Sequence, residues 1–329
     1  MRHPRLRRSS FKPSPIYRNL LNPLFLIFSP IIIPIRFFII IVSLVLNFMT
    51  DSILYRLDCD ISKPLSKFSM KYLKITKLIT YKLVCMACSI HVVVKGKQQA
   101  KIIIGNHSSM FDIPVLIASG IMCTISKSGV TKVNLLKPGI LVSRTLLART
   151  CQGNVIDTLK ERYSQQDSLW PTIGIFAAGT TVENDCIIPF RTGAFQPMQP
   201  VQLLNITYNT GKDFTYTVQN AKQVIKNILL NPFGTVTVEY LTVIKPEQGE
   251  TPIDFATRTQ FIMASLPGKE ISPFGYKDCL YFVGKNFVPS QAYQDEFGWM
   301  GTHDDYMLLC KKVNKDPFVQ WDKADLIAD

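Results

Sequence analysis

Lys101-Ile-Ile-Ile-Gly-Asn-His-Ser-Ser-Met-Phe-Asp-Ile-Pro-Val-Leu-Ile-Ala-Ser119 is the stretch that decides the fold class. Lys101–Gly105 is a short apolar run closed by a glycine, the pattern of a buried strand. From Phe111 to Ser119 apolar residues return at helical spacing. A strand therefore passes through a polar loop straight into a helix. On one continuous helix His107 and Asp112 would lie about 140° apart. Across a strand-to-helix junction they can meet, with the histidine on the turn and the aspartate opening the helix. An aspartate bonded to one imidazole nitrogen fixes the tautomer and leaves the other nitrogen free as a base. None of the other three histidines has an aspartate at the same offset.

The alternation continues on both sides of this stretch. Apolar runs occupy Ile121–Ser126, Gly139–Ser143, Thr172–Phe176, Val201–Tyr208 and Val236–Ile244. Helical patterns fill Val155–Ser168 and Phe255–Leu266, and Ser66–Ser89 reads as an amphipathic helix with interspersed lysines, suited to a membrane surface. Strands alternating with helices predict an α/β fold, a mainly parallel sheet flanked by helices. Beyond Gly268 periodicity says little.

Upstream, Leu24–Met49 carries no acidic residue and a single basic one, Arg36. It lacks the small-residue cleavage site of a signal peptide. Spanning a bilayer takes about 20 apolar residues, so a span here must run through Pro30, Pro34 and Arg36. Two readings follow, one kinked span or a hairpin returning to the same side. Either is an N-terminal membrane-embedded helical segment, and the bilayer is a partner. Six basic residues (Arg2, Arg5, Arg7, Arg8, Lys12 and Arg18) precede it, which predicts a cytosolic N-terminus. The chain divides into a basic N-terminus with membrane segment (1–60), a catalytic domain (61–270) and a C-terminal extension (271–329).

The formal charge of +13 over 329 residues calls for an anionic partner. The basic residues form no stripe with interleaved aromatics, so nucleic acid is not expected; a membrane surface or a polyphosphate-bearing co-substrate is. Eight scattered cysteines make no disulfide scaffold. The one close pair, Cys85-Met-Ala-Cys88, falls on a helical segment and reads as buried thiols rather than half of a zinc site. No metal is expected, and no G-x-S-x-G elbow supports a serine hydrolase.

Four motifs in order resemble those of the glycerolipid (PlsC-like) acyltransferases, in their lysophosphatidylcholine acyltransferase-like branch. The first is Asn106-His-Ser-Ser-Met-Phe-Asp112, with the family's His, four residues and Asp. The second, a strand ending in a basic residue, is Gly139-Ile-Leu-Val-Ser-Arg144. The third is Phe176-Ala-Ala-Gly-Thr-Thr181 followed by Phe190-Arg-Thr-Gly-Ala-Phe195, and the fourth is Gln199-Pro-Val-Gln-Leu-Leu204. Looser similarity reaches the Tyr276–Cys279 stretch.

The resemblance implies an acyl-CoA-dependent O-acyltransferase of phospholipid synthesis or remodelling, embedded in a membrane such as the endoplasmic reticulum. Acyl-CoA is a co-substrate, a lysophospholipid the acceptor, and no cofactor is implied. His107 is then the general base and Asp112 its orienter, with Asn106, Ser108, Arg144, Gly179, Thr180, Thr181 and Arg191 contacting substrate. Lys127, Lys132 and Lys137 are candidates for the donor's phosphates. One departure stands out: where the family's third motif has Pro and Glu, this chain has Ala177 and Ala178. Glu183 is a possible substitute, and restoring the glutamate by Ala178→Glu is expected to raise activity or leave it unchanged. Alternatives are an acyltransferase for lysophosphatidic acid or glycerol 3-phosphate, and a weakly active or inactive lipid-binding relative.

Overall fold

The computed structural model describes residues 21–127, 132, 134, 136–148, 155–164, 169–216, 221–272 and 275. The basic residues before the first helix and the Tyr276–Cys279 stretch lie outside them.

Helix α1 (Leu21–Leu57) is one continuous piece through Pro30 and Pro34, so the hairpin reading gives way to a single helix. Its 37 residues make it about 55 Å long. The helix is amphipathic in an inverted sense. Its buried positions include Arg36, Ser43, Asn47 and Asp51, whereas Ile31, Ile35, Phe38, Val42, Val45, Met49 and Ile53 are exposed. The polar stripe docks on the rest of the protein. Arg36 donates to the carbonyls of Leu229 (2.6 Å) and Asn231 (2.8 Å) and to the Ser89 hydroxyl. Lys77, on helix α2 (Lys67–Ala87), reaches Asp51 (2.5 Å) and Asn47 (2.8 Å) of α1.

α2 starts at a Ser66 cap that accepts from the Ser69 amide, and it packs on α1 and on α3 (Asp112–Ala118). It is thus a packed helix with one free face, on which exposed Phe68, Ile75, Ile79 and Met86 run beside exposed Lys67, Lys71, Lys74 and Lys82. Cys85 and Cys88 are buried, and burial pushes their thiols up to about 12 and about 11, so they stay protonated.

The sheet has seven strands in the order β1-β8-β7-β2-β5-β3-β4. Their ranges are β1 (Ile90–Lys95), β2 (Ile102–Gly105), β3 (Cys123–Lys127), β4 (Leu146–Ala148), β5 (Ile173–Ile175), β7 (Val201–Thr210) and β8 (Gly234–Ile244); β6 (Cys186–Ile187) pairs with β9 (Glu270–Ile271) in a separate ribbon. β7, β2, β5, β3 and β4 run parallel; β8 is antiparallel to β7, and β1 follows β8. β2 sits in the middle with all four residues buried, as a strand covered on both faces must be. One side of the core gathers Val84, Ile103, Val115, Leu116, Leu204, Val236 and Val238, and the other Ile102, Ile104, Ile173, Phe195, Leu203 and Phe255. Helices α5 (Val155–Tyr163), α6 (Ala221–Leu229) and α7 (Pro252–Ala264) complete the flanks.

One expected strand needs correction. Gly139–Ser143 is not a strand: Lys137–Val142 forms helix α4, with Pro138 in its first turn, and the strand comes later, at β4. A short apolar run carries no period of its own, and a proline at a helix start supplies the φ the helix needs. β1 and α6 were not anticipated from the pattern of runs.

Candidate active site

β2 and β5 are parallel neighbours, so the loops that leave them emerge at the same end of the sheet. In open α/β sheets that carboxyl end is where ligands bind. The loop after β2 carries Asn106–Phe111, and the loop after β5 carries Phe176–Thr181.

His107 and Asp112 meet as the spacing implied. His107 Nδ1 lies 2.7 Å from Asp112 Oδ2, and that same oxygen accepts from the amides of Ser108 (2.9 Å) and Ser109 (3.0 Å). Asp112 occupies the first turn of α3 and is fully buried. With two backbone donors already on it, Oδ2 is placed to accept a hydrogen bond from the Nδ1–H. That leaves Nε2 as the free nitrogen of a ring whose side chain is 20% exposed. The imidazole lies flat on Phe176, with centroids 4.0 Å apart and planes 10° from parallel. Asp112 fixes the ring's tautomer, and Phe176 fixes its plane.

The β5 loop folds over this pair. Val182 N–H donates to the His107 carbonyl (2.8 Å), and Arg191 N–H to that of Ala177 (2.8 Å). Gly179 has φ +72°, and a Cβ there would come within 2.6 Å of Arg191 Cδ. Only glycine allows the Arg191 side chain to lie across the loop at that point. Thr180 is half-buried beside it. His107, Asp112, Gly179, Thr180 and Arg191 are thus drawn from the first and third motifs into adjoining loops.

Other expected contact residues are buried and bonded within the fold. Asn106 is buried; its amide donates to Ile206 O (2.9 Å) and Asn184 Oδ1 (3.0 Å) and accepts from Ile206 N–H (2.7 Å). Ser108 is buried, with its carbonyl bonded to Tyr216 N–H at 2.7 Å. Thr181 donates its hydroxyl to the Tyr216 carbonyl at 2.5 Å. Arg144 is a different case from the contact role assigned to it. Its guanidinium has no exposed side-chain surface; it pairs with Asp58 (3.0 Å) and donates to the carbonyls of Lys63 (3.0 Å) and Asp60 (3.1 Å). It ties the turn after α1 to the sheet, because an arginine fork offers enough donors to satisfy several carbonyls at once. Lys132 and Lys137 are exposed, and the Lys127 side chain lies outside the described residues.

Ala178 explains itself in the structure. It is 4% exposed and packs with Val182, Cys186 and Ile188 in a small apolar cluster. A glutamate there would put a carboxylate among hydrocarbon, so the expected benefit of Ala178→Glu is withdrawn. That variant should lose activity and melt earlier than wild type, which paired turnover and thermal-unfolding measurements check. An unchanged melting temperature would show that the carboxylate finds a polar exit. Glu183, the suggested substitute, is buried on the same loop.

Sequence reasoning missed Tyr208. It sits on β7 and donates to Asp112 Oδ1 at 2.5 Å. No spacing rule links residues 96 positions apart, and only strand adjacency brings them together.

Comparison with known proteins bears on the fold and the family motifs. Residues 91–208 match the family described as Acyltransferase. The solved structure of the 1-acyl-sn-glycerophosphate (LPA) acyltransferase PlsC from Thermotoga maritima aligns with 72% of this chain and 94% of its own, at TM-score 0.50 and 16% identity. Through this segment and this fold the chain is similar to the PlsC-like acyltransferases.

Among curated proteins it is similar to lysophosphatidylcholine acyltransferase 2B of Mus musculus, 26% identical over 83% of this chain and 56% of that protein. It is also similar to lysophosphatidylcholine acyltransferase 2 of Danio rerio, 31% identical over 63% of this chain and 42% of that protein. Lysophosphatidylcholine acyltransferase 1 of Homo sapiens is 30% identical over 57% of this chain and 38% of its own length. The chain spans about half the length of the curated relatives it matches.

Proposed function

We propose that the protein transfers a fatty acyl group from acyl-CoA to the free hydroxyl of a lysophospholipid at a membrane surface. The observation that carries this is the His107–Asp112 pair at the carboxyl end of β2, oriented by Phe176 and roofed by the Gly179–Arg191 loop. His107 Nε2 takes the acceptor hydroxyl proton while that oxygen forms its bond to the thioester carbonyl carbon. Asp112 stabilises the imidazolium that results. The tetrahedral oxyanion is stabilised by polar groups of the loop after β5, and it collapses by breaking the C–S bond. The departing thiolate recovers the proton from His107, so the ring ends neutral. No covalent acyl-enzyme is needed.

The surface suits a lipid substrate. α1 turns its polar stripe inward and its apolar face outward, the reverse of a helix on a water-soluble protein. Among the described residues it is the one helix long and apolar enough to cross a membrane. The Phe68–Met86 strip of α2, with lysines alongside, extends that face toward lipid head groups. We place the protein in an internal membrane, the endoplasmic reticulum, with the N-terminus cytosolic.

For the acceptor we favour a phosphodiester head group over a phosphomonoester. Of the two arginines expected at the site, Arg144 is committed to Asp58, and Arg191 lies over Gly179. One arginine matches a singly charged diester, and a second would repel a choline or ethanolamine cation. Competition between lysophosphatidylcholine, lysophosphatidylethanolamine and lysophosphatidic acid at equal concentration, with labelled acyl-CoA, tests this. Preferential acylation of the two zwitterionic acceptors is expected; preference for lysophosphatidic acid would overturn the choice of acceptor.

A further inference from the structure

We propose that Tyr208 is a positioning residue for acyl transfer: its phenol holds the second oxygen of Asp112, keeping His107 both aimed and neutral. The proposal rests on the reading of His107 as the base.

Asp112 is 0% exposed, so every bond its carboxylate makes must come from the protein. Oδ2 is shared by the imidazole and two backbone amides. The Tyr208 phenol is the donor on Oδ1, at 2.5 Å. Its placement is secured from both sides. Asn106, at the end of β2, bonds both backbone groups of Ile206, two residues before Tyr208, which locks β7 in register beside the loop that carries His107. The Tyr208 ring also packs against Phe214, at 5.9 Å between centroids.

Burial and the neighbouring Asp112 charge push the phenol well above its usual range, so it remains a donor throughout. The Ser109 side chain acts in the opposite direction without outweighing them. The other titratable and charged groups near the set are Cys85 of α2, whose thiol is held neutral, and Glu183 and Arg191 on the loop after β5.

A phenol donor draws charge away from Oδ2. Removing it concentrates charge there, strengthens the hold on the Nδ1 proton and favours the imidazolium, which cannot accept a proton. Removing only this hydroxyl leaves the ring's packing in place.

The test uses the full chain in detergent with Tyr208→Phe and Tyr208→3-fluorotyrosine. One readout is the pH profile of acyl transfer from acyl-CoA to lysophosphatidylcholine. The other is the pH dependence of diethyl pyrocarbonate modification of the His107 peptide by mass spectrometry, which needs no turnover. For Tyr208→Phe the midpoint of both should rise by about half a unit to one unit. Its kcat at neutral pH should fall about tenfold with KM changed less than about twofold. The fluorinated phenol, a stronger donor of nearly the same shape, should move both midpoints down, which separates the role from any folding defect. Midpoints unmoved in both variants, or moved the opposite way, would overturn the proposal. Should the wild type transfer no acyl group while the modification midpoint still shifts as stated, Tyr208 keeps its role and the acyltransferase reading falls.

Discussion

Replacing His107 with alanine is expected to cut acyl transfer by about 10²–10⁴-fold while leaving the fold intact, since a positioned base contributes that much. The ring is partly exposed, so its loss opens no void in the core. Asp112 keeps the Ser108 and Ser109 amides and the Tyr208 phenol after the imidazole is gone, so the buried carboxylate remains satisfied. Asp112→Asn should fall nearly as far, because an amide no longer enforces the Nδ1–H tautomer or stabilises the imidazolium. Turnover of purified variants checks both, with circular dichroism to confirm folding. Near-wild-type turnover in His107→Ala would mean that another group takes the proton.

The second large effect concerns the anchor. Lys77→Met is expected to destabilise the protein by about 3–5 kcal/mol, the usual loss when one partner of a buried ion pair is removed. Lys77 and Asp51 are each 5% exposed and 2.5 Å apart. Lys77 also reaches Asn47, and Gly139 of α4 presses so close that a Cβ there would lie 2.5 Å from Asp51 Oδ2. The pair therefore fixes α1, α2 and α4 at one point. Thermal unfolding in micelles should drop by about 10 °C for this variant. Asp51→Leu combined with Lys77→Met should recover much of that, because no lone charge is left behind. A single variant as mild as Lys74→Met, on the exposed face of α2, would contradict this account of how the anchor is held.

Much of this architecture was legible in the sequence where local signals were strong. The strand-to-helix junction at Gly105–Asp112 was readable because glycine, a polar loop and an apolar helix face follow one another within one unit. Phe255–Leu266 was readable from its helical period, which α7 follows within a few residues. Gly139–Ser143 was misread because an apolar run of that length fits a helix turn as well as a strand. The roles of Asn106 and Arg144 were not legible, for a different reason. Motif position says that a residue is close to the site, but not whether its donors face outward or are consumed by Ile206 or Asp58. Tyr208 and the inverted stripe of α1 depend on which elements pack together. The Arg36, Ser43, Asn47 and Asp51 spacing was present in the sequence, but it gains meaning only when the globular domain is seen beneath it.

The central claim is direct acyl transfer with His107 as base. It is tested most directly by incubating the purified protein with acyl-CoA and lysophosphatidylcholine while following free CoA thiol and new diacyl phospholipid together. The account predicts equal molar amounts of the two products from the wild type, no CoA release without the acceptor, and both products down by about a hundredfold or more in His107→Ala. CoA release that continues without lysophospholipid, or phospholipid formation at a near-wild-type rate in His107→Ala, would contradict it.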